Sequence, residues 1–396
     1  MKPVRVALTG ASGHGLWHRR EIDRLRRLGR VELVGLCDVR PIESYPDAPA
    51  PADLPAFNCH LALLQAVRPD VMIVCTPPHT HLEMAGDALA AGADVLLEKP
   101  PVMNLAQHAE LTHAVTESGR ALQVGFQALG SAALAELVEA VSAGRLGDIT
   151  GIAAVASWQR SDAYYGRSPW AGRRLLDGRA VLDGALANPL AHALMQCLAV
   201  AAAAAGKPVQ PGVVEVELYR TRPIEVDDTA CLRATMDPGP SILAAVTLCG
   251  EEKIEGEIIV SGTAGTAVLE YPTDRLRLPG EDALREVPGR VSLLENLLDH
   301  RADPAGVPLI VPLARTTPFT TLLEAIGEVP SPADVDPTHV TTVGESPERI
   351  NVITGVNAAL REAGRRLALL SELGVPWAMP PVVTRYGKRP ANNGEN

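Results

Sequence analysis

Asp94-Val95-Leu96-Leu97-Glu98-Lys99-Pro100 decides how the chain is read. The apolar run reads as a short buried strand, with Lys99 carried at its C-terminal end. In a doubly wound sheet that end faces the crevice where ligands bind. Pro100 biases Lys99 away from the helical region, so the chain stops there instead of running on into a helix. Alone, the tripeptide is what any surface Glu-Lys pair after a strand looks like. Its surroundings decide otherwise.

Upstream, residues 3–9 read as a strand ending in Thr9-Gly10-Ala11-Ser12-Gly13-His14-Gly15, followed by an Arg- and Leu-rich helix to about Arg30. A second buried strand runs from Val31 to Asp38, a helix from Ala52 to Val67, and a third strand from Asp70 to Thr76. Thr80-His81-Leu82-Glu83 fits a capping box, so a helix is expected from there to about Ala91. Asn104 caps the next helix to about Ser118, and Ala121–Phe126 is a fifth strand. Strands alternating with helices mean a parallel sheet covered on both faces.

After Phe126 the rhythm changes. A helix (Ala132–Ala143), a strand (Ile149–Ser157) and a Tyr-, Trp-, Arg- and Gly-rich stretch precede a helix from about Ala187. Five strands then follow one another: 213–222, 229–236, 242–248, 253–262 and 266–271. Such succession indicates an antiparallel or mixed sheet. Ser346-Pro347 should open a late helix to about Leu370. The expected fold is α/β: a doubly wound parallel domain over 1–126, an α+β domain with a large open, mostly antiparallel sheet over 127–386, and a flexible tail over 387–396. Strands lacking cover should leave one sheet face open to a second copy, giving a homo-oligomer.

A net charge of −11 without a basic run argues against nucleic acid. Six scattered cysteines suit a reducing compartment and offer no metal site. The chain enters a strand pattern at once, which argues against a leader, and its uncharged run Pro189–Gly206 is shorter than a spanning helix of roughly 20 residues. A cytoplasmic protein without membrane contact is expected.

The glycine turn follows the G-x-G-x-x-G pattern with Ser12 at the middle glycine. Its first glycine allows the tight turn, and its last allows close helix–strand approach. Between them the backbone can near a pyrophosphate resting on helix N-terminal amides. Asp38 ends the second strand at about the spacing of a ribose-binding acid, which favours NAD; Arg40 leaves NADP possible.

Thr76-Pro77-Pro78-His79-Thr80-His81, Glu98-Lys99-Pro100 and Val124-Gly125-Phe126 together resemble the signature series of the glucose–fructose oxidoreductase and inositol dehydrogenase (Gfo/Idh/MocA) family. The resemblance covers residues 3–126 and, more loosely, the second domain. It implies a nicotinamide cofactor bound by Gly10, Ser12, Gly13, Gly15, Asp38, Arg40, Thr76, Pro77, His81, Glu98, Lys99 and Gln127. Glu98 would hold a ribose and Lys99 would sit beside the reacting carbon, commonly with a cis Lys–Pro bond. Gln127-Ala-Leu-Gly-Ser131 departs from the family's Asn/Arg-rich turn and lacks its arginine.

Gly184-Ala-Leu-Ala-Asn188-Pro-Leu-Ala-His192 resembles the family's G-G-x-L-x-D-x-G-x-H segment, with asparagine at the aspartate position. Set on one helix, Asn188 and His192 would share a face. The implied catalytic set is Lys99, His192 and Asn188, with Tyr164, Tyr165, Trp170 and Arg173 shaping a sugar pocket. Hydride transfer at a carbinol of a sugar, cyclitol or related polyhydroxy compound is the leading reading, with a homodimer or homotetramer built through the second sheet. The same scaffold serves NAD-recycling glycoside cleavage or epimerisation, and non-catalytic sugar- or NAD-sensing regulators.

Overall fold

The computed structural model describes residues 2–387; the rest of the expected tail, 388–396, lies outside the described residues, as does Met1. Two compact units make up the described chain.

The first unit spans residues 1–130 and takes in 179–181 and 291–320. Its sheet holds β1 (Val4–Thr9), β2 (Val31–Cys37), β3 (Ala56–Phe57), β4 (Val71–Val74), β5 (Asp94–Leu97) and β6 (Leu122–Val124). Their order is β3-β2-β1-β4-β5-β6, with every pair parallel. The chain leaves β1 in one direction and returns to β4 on its other side, so the strand order reverses between these two. That reversal opens a crevice at the strands' C-terminal ends. The glycine turn after β1, Thr76-Pro77 after β4 and Glu98-Lys99 after β5 all emerge there. Val6, Ala7, Leu8, Val71–Val74 and Val95–Leu97 are buried without alternation, as strands covered on both faces require. Helices α1 (Gly15–Arg27), α2 (His60–Val67), α3 (His81–Ala90) and α4 (Leu105–Ser118) alternate with the strands.

Residues 291–320 are held to this unit by Gln123. Its buried amide donates to Leu293 O (2.7 Å) and Asn296 Oδ1 (2.9 Å) and accepts from Val311 N (2.9 Å). Beside it Phe126 meets Phe319 edge to face, with ring centroids 4.9 Å apart.

The second unit is built on a mixed, mostly antiparallel ten-stranded sheet. Strand Ile149–Gln159 lies at its centre, between Ile242–Thr247, which it pairs in parallel, and Cys249–Gly262, which it pairs antiparallel. Helix Val356–Arg366 and the segment ending at Trp377 cover one face, packing Val356, Leu360, Ala363, Leu369 and Leu370 on Ala153, Val155, Leu243 and Ala245. Ala154, Ala156, Ala244 and Val246 point the other way and are equally buried, and helix Ala191–Ala205 packs along the same strands. The centre of this sheet therefore presents no bare face within the unit. No helix among the described residues is long and apolar enough to cross a membrane.

Four local expectations are corrected. Only His60–Val67 of the 52–67 stretch is helical. Before it, Pro55 O and Phe57 O accept from Leu36 N and Asp38 N, so the chain adds a sheet edge. Thr80 does precede α3, but without a side-chain cap; its hydroxyl donates to Pro77 O and meets Thr76 Oγ1. Asn188 lies in a turn ahead of the helix, which begins at Ala191. Ser346-Pro347 sits between the paired strands Val340–Val343 and Ile350–Ile353, and the late helix starts only after Gly355, whose φ is +77°.

Replacing Gln123 by Ala removes three buried hydrogen bonds at once, while Asn296 Oδ1 keeps the amide of Ile310. We expect a loss of about 2–4 kcal/mol of unfolding free energy, from about 0.5–1.5 kcal/mol per hydrogen bond, read from denaturant midpoints. Gln123→Leu should be equally damaging, since the missing partners, not the missing volume, are what the protein loses.

Candidate active site

The glycine turn is shaped by steric closure on one side and openness on the other. A side chain at Gly10 (φ +80°) would place its Cβ 2.0 Å from Cys75 O, and one at Gly15 would meet Gly10 O at 1.9 Å. At Gly13 (φ +60°) nothing lies within 4 Å of such a Cβ. The turn is thus pressed onto the sheet from behind and open in front, at the N-terminus of α1. The positive end of the helix dipole and this open cradle fit a diphosphate. Asp38 braces the turn, accepting from Ser12 N (2.9 Å) through one oxygen and from Arg40 N (3.0 Å) through the other. Arg40 itself stays exposed, its Nε 3.6 Å from Asp38.

Glu98 is the centre of the crevice. Its Oε1 accepts from Gln127 Nε2 (2.9 Å) and is 2.9 Å from His18 Nε2 and 3.5 Å from His14 Nε2. Its Oε2 takes the Lys99 amide at 3.2 Å. Room for the carboxylate comes from Gly125, where a Cβ would sit 3.0 Å from Glu98 Oε1. Burial pushes the carboxyl's pKa up, but hydrogen bonds from His14 and His18 outweigh it and hold Glu98 well below the usual range. Three ligating atoms, from His14, His18 and Glu98, lie within 4.8 Å of one another. His18 is buried, and its Nδ1 has no hydrogen-bond partner among the described residues.

His81 is placed differently from the sequence-based expectation. It is fully buried, with Nδ1 2.8 Å from Pro100 O and Nε2 2.8 Å from Thr76 O. Burial lowers its pKa. With no surface left for a ligand, it joins the Thr76 loop to the cis Lys99–Pro100 bond and so positions both.

In the second unit the expected pocket residues gather around a carboxylate that sequence reading missed. Asp183 is buried, and both its oxygens accept from Arg167 Nη2 at 2.7 Å; it also takes Gly172 N (2.8 Å) and Asn188 Nδ2 (2.6 Å). Arg167 in turn lies over the rings of Tyr164 (3.8 Å) and Trp170 (4.9 Å), and Arg222 lies over Tyr165 (4.8 Å). Arg173 is exposed, so the guanidinium at this cluster is that of Arg167. His192 is half-buried in the first turn of its helix. The only advance signal for Asp183 was its place directly before Gly184. That glycine is obligatory, because a Cβ there would meet Asp227 Oδ1 at 2.0 Å.

Residues 4–126 match the family model described as oxidoreductase family, NAD-binding Rossmann fold. Residues 4–126 belong to the Gfo/Idh/MocA family. The chain is 32% identical to the D-glucoside 3-dehydrogenase of Escherichia coli (strain K12) over 37% of its own length and 41% of that protein's. It is also 32% identical to an inositol 2-dehydrogenase of Gluconacetobacter diazotrophicus, over 41% and 48% respectively. The matches thus span less than half of these curated relatives. Two solved structures share the fold over 83% of this chain. One is the WlbA dehydrogenase of Bordetella pertussis, solved with NADH and UDP-GlcNAcA (TM-score 0.67, 22% identity, 96% of that chain). The other is a levoglucosan dehydrogenase solved with NADH (TM-score 0.66, 16% identity, 97% of that chain). The Gfo/Idh/MocA domain holds the glycine turn, Asp38, Glu98 and Lys99 in one crevice.

Burial raises the Asp227 carboxyl to about 7. The folded state then binds a proton that the unfolded chain, with an ordinary aspartate, releases above about pH 4. Stability from this group is therefore present at low pH and lost as pH rises from about 4 to 7. Asp227→Asn should remove the loss, so that the variant gains on the parent across that window in denaturant unfolding and not below it.

Proposed function

We propose that the protein is an NAD-dependent oxidoreductase acting on a CH–OH group of a sugar, cyclitol or related polyhydroxy compound. The observation that carries this is the convergence of the glycine turn, Asp38, Glu98 and Lys99 at the C-terminal end of one parallel sheet. The family match over residues 4–126 and the sugar and cyclitol dehydrogenases among the relatives support it.

The nicotinamide, when bound, supplies the hydride acceptor or donor. Gly10, Ser12, Gly13 and Gly15 would hold its diphosphate, and Asp38 the adenosine ribose. Asp38 repels a 2′-phosphate, which favours NAD over NADP. Glu98, already ionised and rigidly held, would accept from the other ribose, with Thr76, Pro77 and Gln127 lining the same end. Lys99 would exchange a proton with the substrate oxygen at Nζ; desolvation by cofactor and substrate draws a lysine's pKa towards working pH, as proton transfer needs. His192 would share that proton, and Asn188 would orient the hydroxyl. Tyr164, Tyr165 and Trp170 offer aromatic faces to a sugar ring, with Arg167 and Asp183 fixing them. A homo-oligomer in the cytoplasm completes the proposal.

Spectrophotometry of NAD reduction across a polyol and glycoside panel tests the reaction, and turnover with no net NADH would shift it to redox-neutral cleavage or epimerisation. Lys99→Ala should cut kcat by about 10²–10⁴-fold, the range of a positioned acid–base group, with NADH affinity little changed. His192→Ala should match it if the histidine shares the proton; a packing role would instead lower stability and spare turnover per folded molecule.

Fluorescence titration decides the cofactor. NADH should bind more tightly than NADPH, and Asp38→Ala should narrow the gap. A tighter NADPH constant in the parent would show Arg40 prevailing.

A further inference from the structure

His60, Glu83 and Asp87 form a cluster in the first unit to which the proposed function gives no task. His60 opens α2, and Glu83 and Asp87 stand four apart on α3, so both carboxylates share one face of that helix. His60 is buried, and its Nε2 lies 2.7 Å from Asp87 Oδ2. One ligating atom from each of the three residues lies within 4.8 Å of the other two. Burial holds the imidazole in place, whereas the Asp87 side chain is 37% exposed and that of Glu83 61%. The set is thus a fixed ring beside two carboxylates that dissolved ions can reach. Arg179 comes to 3.7 Å from Glu83, but both of these side chains are mostly exposed and such a pair contributes little. Two carboxylates against one loosely held guanidinium leave the cluster negative. A hydrogen bond between the helices needs only His60 and Asp87; Glu83, one turn away on the same face, makes a third ligand.

We propose that His60, Glu83 and Asp87 bind a zinc ion that ties α2 to α3, with water in the fourth position. One imidazole nitrogen and two carboxylate oxygens are a zinc donor set, whereas calcium and magnesium prefer oxygen throughout. Bonds of about 2.0–2.2 Å place tetrahedral ligand atoms roughly 3.3–3.6 Å apart. Asp87 then gives way by less than about 1 Å from its present contact, and the exposed Glu83 side chain turns to close the third side. The ion replaces the proton that the ring now shares with Asp87; the imidazole stays neutral, with its proton on Nδ1. Two carboxylates balance the dication, so the filled site carries no net charge. The tie has a mechanical use. Helix α2 has only 8 residues, a length that is marginal without tertiary support. It follows β3, the two-residue strand at the edge of the parallel sheet. A metal bond to α3 would fasten that edge.

The test uses the full-length protein, stripped with a chelator and then dialysed free of it. Calorimetric titration with zinc chloride should reveal a site in the parent. Glu83→Gln and Asp87→Asn should each weaken it by at least about 10–100-fold, the loss that follows removal of even an outer partner of a metal ligand. Because Glu83 is exposed, the metal-free Glu83→Gln variant should unfold at the parent's midpoint, which separates lost binding from lost folding. Hydrogen exchange gives the second reading: zinc should slow the amides of α2 in the parent and leave those of Glu83→Gln unchanged. Parent-like zinc affinity in both variants would place the ion on other ligands, His14, His18 and Glu98 among them, and overturns the proposal. A parent that takes up no zinc at micromolar concentration overturns it too, as does α2 exchange that stays the same when the site is full.

Discussion

The buried carboxylate of Glu98 is the constraint on which the N-terminal crevice depends. One oxygen draws in His18 and His14 from α1 and Gln127 from beyond β6, while the other takes the amide of Lys99. Pieces of chain far apart in sequence are thereby fixed relative to one buried charge. Removing a single partner would leave that charge underpaired, and an unpaired buried charge is far costlier than a lost surface contact. The same arrangement keeps Glu98 ionised, the state in which it can accept from a ligand hydroxyl.

Close backbone approach makes this gathering possible. Gly125 leaves the space into which Glu98 folds, and Gly10 and Gly15 let the turn press against β4 and itself. The turn sits at the strand-order reversal between β1 and β4, the one place in such a sheet where loops diverge to leave a cleft. Sheet order, glycine placement and carboxylate burial are thus one solution to one packing problem. His81 extends it by tying the Thr76 and Pro100 carbonyls together from behind.

Much of this was legible in the chain. Unbroken apolar runs ending in Gly10, Asp38, Thr76 and Glu98 gave the parallel sheet and the crevice, because buried parallel strands need no alternation and their ends carry the polar residues. The long-range pairings were not legible. Nothing near Gln123 announces that its amide will be satisfied by residues 293–311, and the membership of 291–320 in the first unit follows from that buried amide. His81 looked like a ligand-facing motif residue, since a sequence pattern does not say which side of a loop a ring will pack on. Helix starts were also missed where local chemistry competes: Pro189 follows Asn188 and disfavours helical backbone there, so the helix waits until Ala191.

Asn188 shows how a departure from a family pattern can be absorbed by its surroundings. Where the resemblance led one to expect an aspartate, this chain has an amide that donates to Asp183 at 2.6 Å. A carboxylate is thus still present, one hydrogen bond away, but its charge is engaged by Arg167 through both oxygens and by the amide of Gly172. One guanidinium nitrogen, Nη2, thus spans both oxygens, and with the Gly172 and Asn188 donors it fixes the carboxylate's orientation as well as its charge. Asn188 therefore has a defined amide direction without carrying a charge of its own, and the arginine so held lies against Tyr164 and Trp170. A neutral, oriented group at this position suits hydrogen bonding to a hydroxyl and gives no ionic support to a protonated His192.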